Sequence, residues 1–158
     1  MKYQNLPYSE NCFVCGKDNP SGFQIKFQAK ENQVIGEFTA TEQHQGYKGV
    51  VHGGILCTLL DEAMGWVPTL VTKRMTLSAE LNFRFLKPVP IKKKLIISTK
   101  VDSIHRRLYT ASGQIADEEG VIYVTGSGKF IPLSQKETRE VNSWLLDDEN
   151  TLRVFEPR

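Results

Sequence analysis

The clearest pattern in the chain is a run of apolar residues at helical spacing that begins at Gly53 and ends near Thr72. At about 100° per residue, Ile55, Leu56, Leu59, Leu60, Ala63, Met64, Val67, Leu70 and Val71 fill one broad arc. Gly54, Thr58, Asp61, Glu62, Gly65, Thr69 and Thr72 are left on a stripe about 100° wide. Such a helix is predicted to be packed into a core, with two adjacent carboxylates on its narrow polar face. Pro68 lacks an N–H and biases Val67 away from helical geometry, so a kink or stop is predicted near Trp66.

Beyond the helix the period changes to two. Leu77, Ala79, Leu81, Phe83 and Phe85 alternate with Ser78, Glu80, Asn82 and Arg84, which predicts a strand whose apolar set covers the helix. Residues 95–101, 108–116 and 121–131 read as three more strands, separated by Asp102-Ser103 and by Asp117-Glu118-Glu119-Gly120. These connections are too short for crossover helices, so the sheet is predicted to be antiparallel and the fold class α+β. Upstream, 23–27 and 34–38 read as a hairpin, and 41–51 as a loop leading into the helix. Ser134 and Glu137 match a capping box, predicting a helix from Gln135 to about Leu146 and a surface tail after it.

A length of 158 residues fits one domain over 1–158, with its core at about 12–133 and an appended helix and tail at 134–158. The net charge of +2 gives no reason to expect a nucleic-acid partner. Neither a leader pattern nor an uninterrupted membrane-spanning apolar run is evident, so the expected location is cytoplasmic, without a membrane partner. Three cysteines do not make a disulfide framework. Cys12 and Cys15 have CxxC spacing, yet Cys57, His44, His52 and His105 offer zinc no second paired spacing. A turn cluster of Gly16, Asn19, Pro20 and Gly22 follows where a thioredoxin-like motif needs a helix. Reduced structural thiols and no metal are the expectation.

Chemistry is expected at the two ends of the polar stripe. The first helical turn has unpaired N–H groups, and Gly53 and Gly54 leave them open to an oxyanion or a polarised carbonyl, with His52 alongside. Gly53 and Asp61 are eight residues apart, about 12 Å along a helix, too far for one small reacting group to touch both. If both act on one substrate, they come from two chains with antiparallel helices. Glu62, about 100° round from Asp61, is the other candidate acid.

His52-Gly53-Gly54, Asp61 nine residues after that His, the Glu-Ala-Met-Gly that follows, and the strand 81–89 together resemble hot-dog-fold acyl-CoA thioesterases of the phenylacetate-pathway type. The resemblance implies a long central helix wrapped by a curved antiparallel sheet, a homodimer or a tetramer built as a dimer of dimers, and hydrolysis of an acyl-CoA. It implies Asp61 as general base or direct nucleophile, the Gly53 N–H on the thioester carbonyl, His52 orienting the thioester or the leaving sulfur, and Ser78 holding the water. Strict alternation, however, points Ser78 away from its own helix. Gly54, Glu62 and Gln45 are the implied substrate contacts. In relatives an Asn or Gln lies about six residues before the His, a place taken here by Gly46 with Gln45 just before it. From Arg84 to Arg107 eight Lys or Arg face one acid, a local charge of +7, and the resemblance assigns Lys87, Arg106 and Arg107 to the phosphates of CoA. No cofactor is implied beyond the CoA of the substrate. The rival readings are a hot-dog hydratase or dehydratase and a non-catalytic acyl-CoA-binding protein.

Overall fold

A computed structural model describes residues 2–155. Seven strands form one antiparallel sheet in the order β1-β3-β4-β8-β9-β10-β7: β1 (Gln4–Asn5), β3 (Gln28–Lys30), β4 (Gln33–Thr39), β8 (Lys94–His105), β9 (Leu108–Asp117), β10 (Ile122–Pro132) and β7 (Thr76–Phe85). β2 (Tyr8–Ser9) pairs with β11 (Leu145–Leu146), and β5 (Gln45–Tyr47) pairs with β6 (Val50–Val51). One long helix, α1 (Gly53–Thr72), packs against β4, β8, β9, β10 and β7, and a short one, α2 (Gln135–Asn142), follows the last long strand. This is the α+β arrangement of helix and antiparallel sheet that the sequence predicts.

Alternation puts Val34 and Phe38 of β4, Leu95, Ile97 and Thr99 of β8, and Ala111 and Ile115 of β9 against Leu56, Leu59, Leu60, Ala63, Met64 and Val67 of α1. The helix seats closely because two strand positions opposite Leu60 carry no side chain. A Cβ at Gly113 would lie 2.5 Å from Thr99 and 3.0 Å from Leu60, and one at Gly126 would lie 3.3 Å from Leu60. Buried Thr99 then ties sheet to helix, its Oγ1 donating to the carbonyl of Ala63 at 3.1 Å. By length and composition α1 could cross a membrane, but here its apolar arc faces the sheet.

Four local expectations are corrected. The helix does not stop near Trp66: it continues through buried Pro68 to Thr72, where Lys73 takes a left-handed conformation (φ 56°). Proline removes only the bond to Met64, and burial of Trp66, Val67 and Leu70 on either side holds the helix. The β8–β9 turn is Arg106-Arg107 rather than Asp102-Ser103, which form an irregularity inside β8 and bond across the ladder, Ser112 to Asp102 and Ser103 to Thr110, both at 2.8 Å. The first hairpin starts at Gln28, because residues 23–27 are held elsewhere by Phe23 N–H to Phe13 C=O and Ile25 N–H to Val14 C=O. The chain after α2 is no surface tail: Leu145 and Val154 are buried, and Asp148 pairs with Lys17 and Lys26.

Candidate active site

The helix start is built by its own cap. His52 is the N-cap in extended geometry, and its Nδ1 accepts the Gly54 N–H at 2.9 Å. That bond leaves Nδ1 without a proton, so the neutral ring carries its proton on Nε2. Gly53 is the first helical residue, and its N–H has no intrahelical acceptor. The loop in front is strung between His44 and Val89, with His52 N–H on the His44 carbonyl and Val51 N–H on the Val89 carbonyl, both at 2.9 Å. Gly46 lies against the imidazole, where an added Cβ would come within 3.2 Å of Cδ2. A side chain at 46 would therefore press on the His52 ring. Gln45 braces the β5–β6 turn, its Oε1 accepting the Gly49 N–H at 2.9 Å. His52, Gly53, Tyr47, Phe85 and Lys87 line a cleft of about 640 Å³.

Asp61 and Ser78 lie in a different cleft, of about 330 Å³, together with Glu62, Cys12, Cys15 and Trp66. The Ser78 hydroxyl donates to Asp61 Oδ1 at 2.5 Å. A bulge makes this possible: Lys129 pairs with Glu80 but Phe130 pairs with Ser78, so Ala79 is an extra residue and the alternation reverses there. Ser78 and Thr76 therefore face α1, and Leu77 turns outward, 60% exposed, instead of covering the helix.

The surroundings of Glu62 and the two thiols were not evident in the sequence. Burial pushes the Glu62 carboxyl up to about 7, and the nearby Cys12 adds to the rise. Cys12 Sγ is 3.9 Å from Glu62 Oε1. A hydrogen bond from Cys15, together with the backbone N–H groups of Val14 and Cys15, brings the Cys12 thiol down to about 5, while the Cys15 thiol is driven up by the same partnership and by burial.

The basic residues do not converge within one chain. Lys87 lines the His52 and Gly53 cleft, whereas the Arg106-Arg107 turn lies at the opposite end of the sheet, the end at which β7 begins. Lys92, Lys93 and Lys94 are engaged with Glu42, Asp117 and Glu37, so much of the local charge is compensated. Asp117 shows how firmly: burial alone would raise its carboxyl, yet Lys93, the Val121 N–H and the Tyr123 hydroxyl hold it well below the usual carboxylate range.

A family model described as thioesterase superfamily matches residues 48–124. Acyl-coenzyme A thioesterase THEM4 of Bos taurus is 27% identical over 129 residues, 80% of this chain and 53% of that protein, so the chain spans about half the length of this curated relative. A solved thioesterase superfamily protein is 28% identical at a TM-score of 0.72, covering 77% of this chain and 60% of that one. The fold also matches a Streptococcus mutans protein bound to acetyl CoA, at a TM-score of 0.65 and 16% identity over 70% of this chain and 89% of that one. The helix-in-sheet architecture and the His52-Gly53-Gly54 helix start agree with these likenesses: the chain has the hot-dog fold, and its residues 48–124 match the thioesterase superfamily.

Proposed function

We propose that the protein is an acyl-CoA thioesterase, releasing a carboxylic acid and free CoA from a site shared between two copies of the chain. The observation that carries this reading is the division of the chemistry along α1: the Gly53 N–H opens into one cleft, and the Asp61–Ser78 pair lies in another. Eight residues of helix separate them by about 12 Å, so a second, antiparallel α1 has to supply the complementary half. β7 supports a dimer. It is a ten-residue edge strand with one side unpaired among the described residues, and Leu77 and Phe85 along it and Leu86 just after it are exposed.

In that shared site the Gly53 N–H, at the positive end of the helix, polarises the thioester carbonyl and holds the oxyanion as it forms. The His52 Nε2–H points its donor outward to orient the thioester or the leaving sulfur. The Ser78 hydroxyl fixes one oxygen of Asp61, leaving the carboxylate to take a proton from water or to attack the carbonyl carbon itself. Collapse of the tetrahedral species breaks the C–S bond and expels the CoA thiolate, leaving the carboxylic acid where water attacked, or an acyl anhydride on Asp61 that a water then hydrolyses to the acid. Lys87 lines the Gly53 cleft and suits a phosphate. Arg106 and Arg107 contribute only where the turn of another copy reaches it. Three free cysteines suit a reducing, cytoplasmic setting.

The test is a panel of acyl-CoA thioesters. Release of free thiol is expected, and Asp61→Asn is expected to lower it by about 10² to 10⁴-fold with folding intact. Enoyl formation would mark a hydratase, and binding without turnover a sensor. Either outcome replaces this reading, and wild-type turnover by Asp61→Asn removes Asp61 from the mechanism.

A further inference from the structure

The loop after β2 and the polar stripe of α1 bring together three groups that the proposed hydrolysis leaves unused. Cys12 Sγ, Cys15 Sγ and a carboxylate oxygen of Glu62 all lie within 4.8 Å of one another. Cys15 is buried, and Cys12 and Glu62 are half-buried. The loop is shaped to present both sulfurs. The N–H groups of Val14 and Cys15 donate to Cys12 Sγ at 3.3 and 3.5 Å, and the Gly16 N–H closes on the Cys12 carbonyl at 3.0 Å. A Cβ on Gly16 would lie 2.5 Å from the carbonyl oxygens of both Cys12 and Glu10, so a turn this tight admits only glycine.

The groups around Glu62 are acidic. The side chains that act on the Glu62 carboxylate are Cys12, Cys15, Asp61 and Trp66, three acids and an indole N–H. Among the described residues no lysine or arginine forms an ion pair with Glu62. Acids gathered in such a place without a cation keep their protons unless a metal ion takes the protons' place.

We infer that Cys12, Cys15 and Glu62 form a binding site for a borderline-soft divalent cation, zinc by preference, with solvent from the adjoining cleft of about 330 Å³ as fourth ligand. Zinc–sulfur bonds of about 2.3 Å in a tetrahedron set two sulfurs about 3.8 Å apart, and a zinc–oxygen bond of about 2.1 Å sets sulfur and oxygen about 3.6 Å apart. The Cys12–Glu62 separation of 3.9 Å comes close to that spacing, and because all three atoms lie within 4.8 Å of one another a side-chain rotation closes the rest. Two thiolates select against magnesium and calcium, which take oxygen ligands, and zinc accepts a carboxylate beside sulfur. Ligation displaces the protons of the thiols and of Glu62 to solvent. The ion would pin the 10–16 loop to α1 one residue from Asp61. The third ligand lies fifty positions after Cys12 and is a Glu, so no paired His or Cys spacing in the sequence marks it.

The inference does not depend on hydrolysis, and its test reads metal directly. The reduced, metal-free full chain is titrated with Co²⁺, then challenged with Zn²⁺. One cobalt per chain is expected, with an intense thiolate-to-cobalt absorption that zinc abolishes. Cys12→Ser and Cys15→Ser should lose that absorption, and Glu62→Gln, which keeps the side chain's size, should weaken binding by about tenfold or more. Cys57→Ser should bind like wild type. A reduced wild-type chain without saturable uptake overturns the site whatever the variants do. So does uptake that Glu62→Gln and both serine variants leave unchanged, or a stable Cys12–Cys15 disulfide that forms in place of metal binding under the reducing conditions of the titration.

Discussion

Asp61 and Glu62 are chemically alike and adjacent, yet the fold gives them opposite surroundings. Asp61 receives a hydroxyl hydrogen bond from Ser78, and Glu62 turns about 100° away into the two thiols. A prediction about stability follows for the metal-free chain. The Glu62 carboxyl rises from 4.5 to about 7 on folding, so its contribution is complete below 4.5 and is lost as pH climbs through about 7. Cys12 runs the other way: its thiol falls from 9.0 to about 5, so its contribution is present above 9.0 and is lost as pH drops through about 5. Glu62→Gln removes the first dependence and leaves a neutral group of the same size. Between pH 5 and 8, in chelator, the wild type should therefore lose stability relative to Glu62→Gln, on the order of 2 kcal/mol. Urea midpoints at the two pH values measure this, and a constant difference would place Glu62 in water-like surroundings. At this scale the sequence was legible where spacing is local. His52, Gly53 and Asp61 sit on one helix whose pitch fixes their separation. The contact between Cys12 and Glu62 spans fifty residues and leaves no periodic trace, and the orientation of Ser78 depends on one extra residue, Ala79, that alternation cannot reveal.

The elements were legible where burial is one-sided. Burial alternates over 94–99 of β8, 108–111 of β9 and 124–131 of β10, where one face meets α1, and α1 itself shows its arc. Misreadings fell where polar residues serve the ladder instead of a turn, as Asp102 and Ser103 do, while the actual turn uses Arg106 and Arg107, which carry no turn signature. The end of the chain was misread for lack of any period. Leu145 and Val154 are 4% and 3% exposed, Leu152 packs against the same core, and β11 holds β2 in place. Since β2 leads directly into the Cys12 loop, and Val141 and Leu145 line the cleft of Asp61, this last stretch is part of the site's wall. Burying a Leu or Val side chain is worth about 1.5–3 kcal/mol. Removing residues 143–158 should therefore cost roughly 4 kcal/mol or more, read as a shift in the urea midpoint. A truncated chain as stable as the full one would mean that the tail does not pack as described.

At the scale of the whole molecule, the charge and the edge of the sheet point toward assembly. The eight basic residues from Arg84 to Arg107 suggest a broad steering field, but Lys92, Lys93 and Lys94 are spent on carboxylates of this chain. The feature that stands out is instead β7, with one side unpaired among the described residues and outward Leu77 beside Ile131. If a second copy covers it and brings an antiparallel α1, each site combines the Gly53 of one chain with the Asp61 of the other. An Asp61→Asn chain and a Gly53→Val chain should then each be inactive alone, the valine acting at the helix start, where even a Cβ would lie 3.3 Å from the Phe85 ring. Mixed, they should recover activity. A mixed dimer has one site with both groups intact and one with both lesions, and random exchange makes about half the dimers mixed, so recovery should approach roughly a quarter of wild type. Circular dichroism establishes that both variants fold, and a tagged copy establishes exchange. If exchange occurs and the mixture stays as inactive as its components, the two halves of the chemistry do not meet across the dimer and the shared site is wrong, because about 12 Å along one α1 keeps Gly53 and Asp61 from acting on one carbonyl.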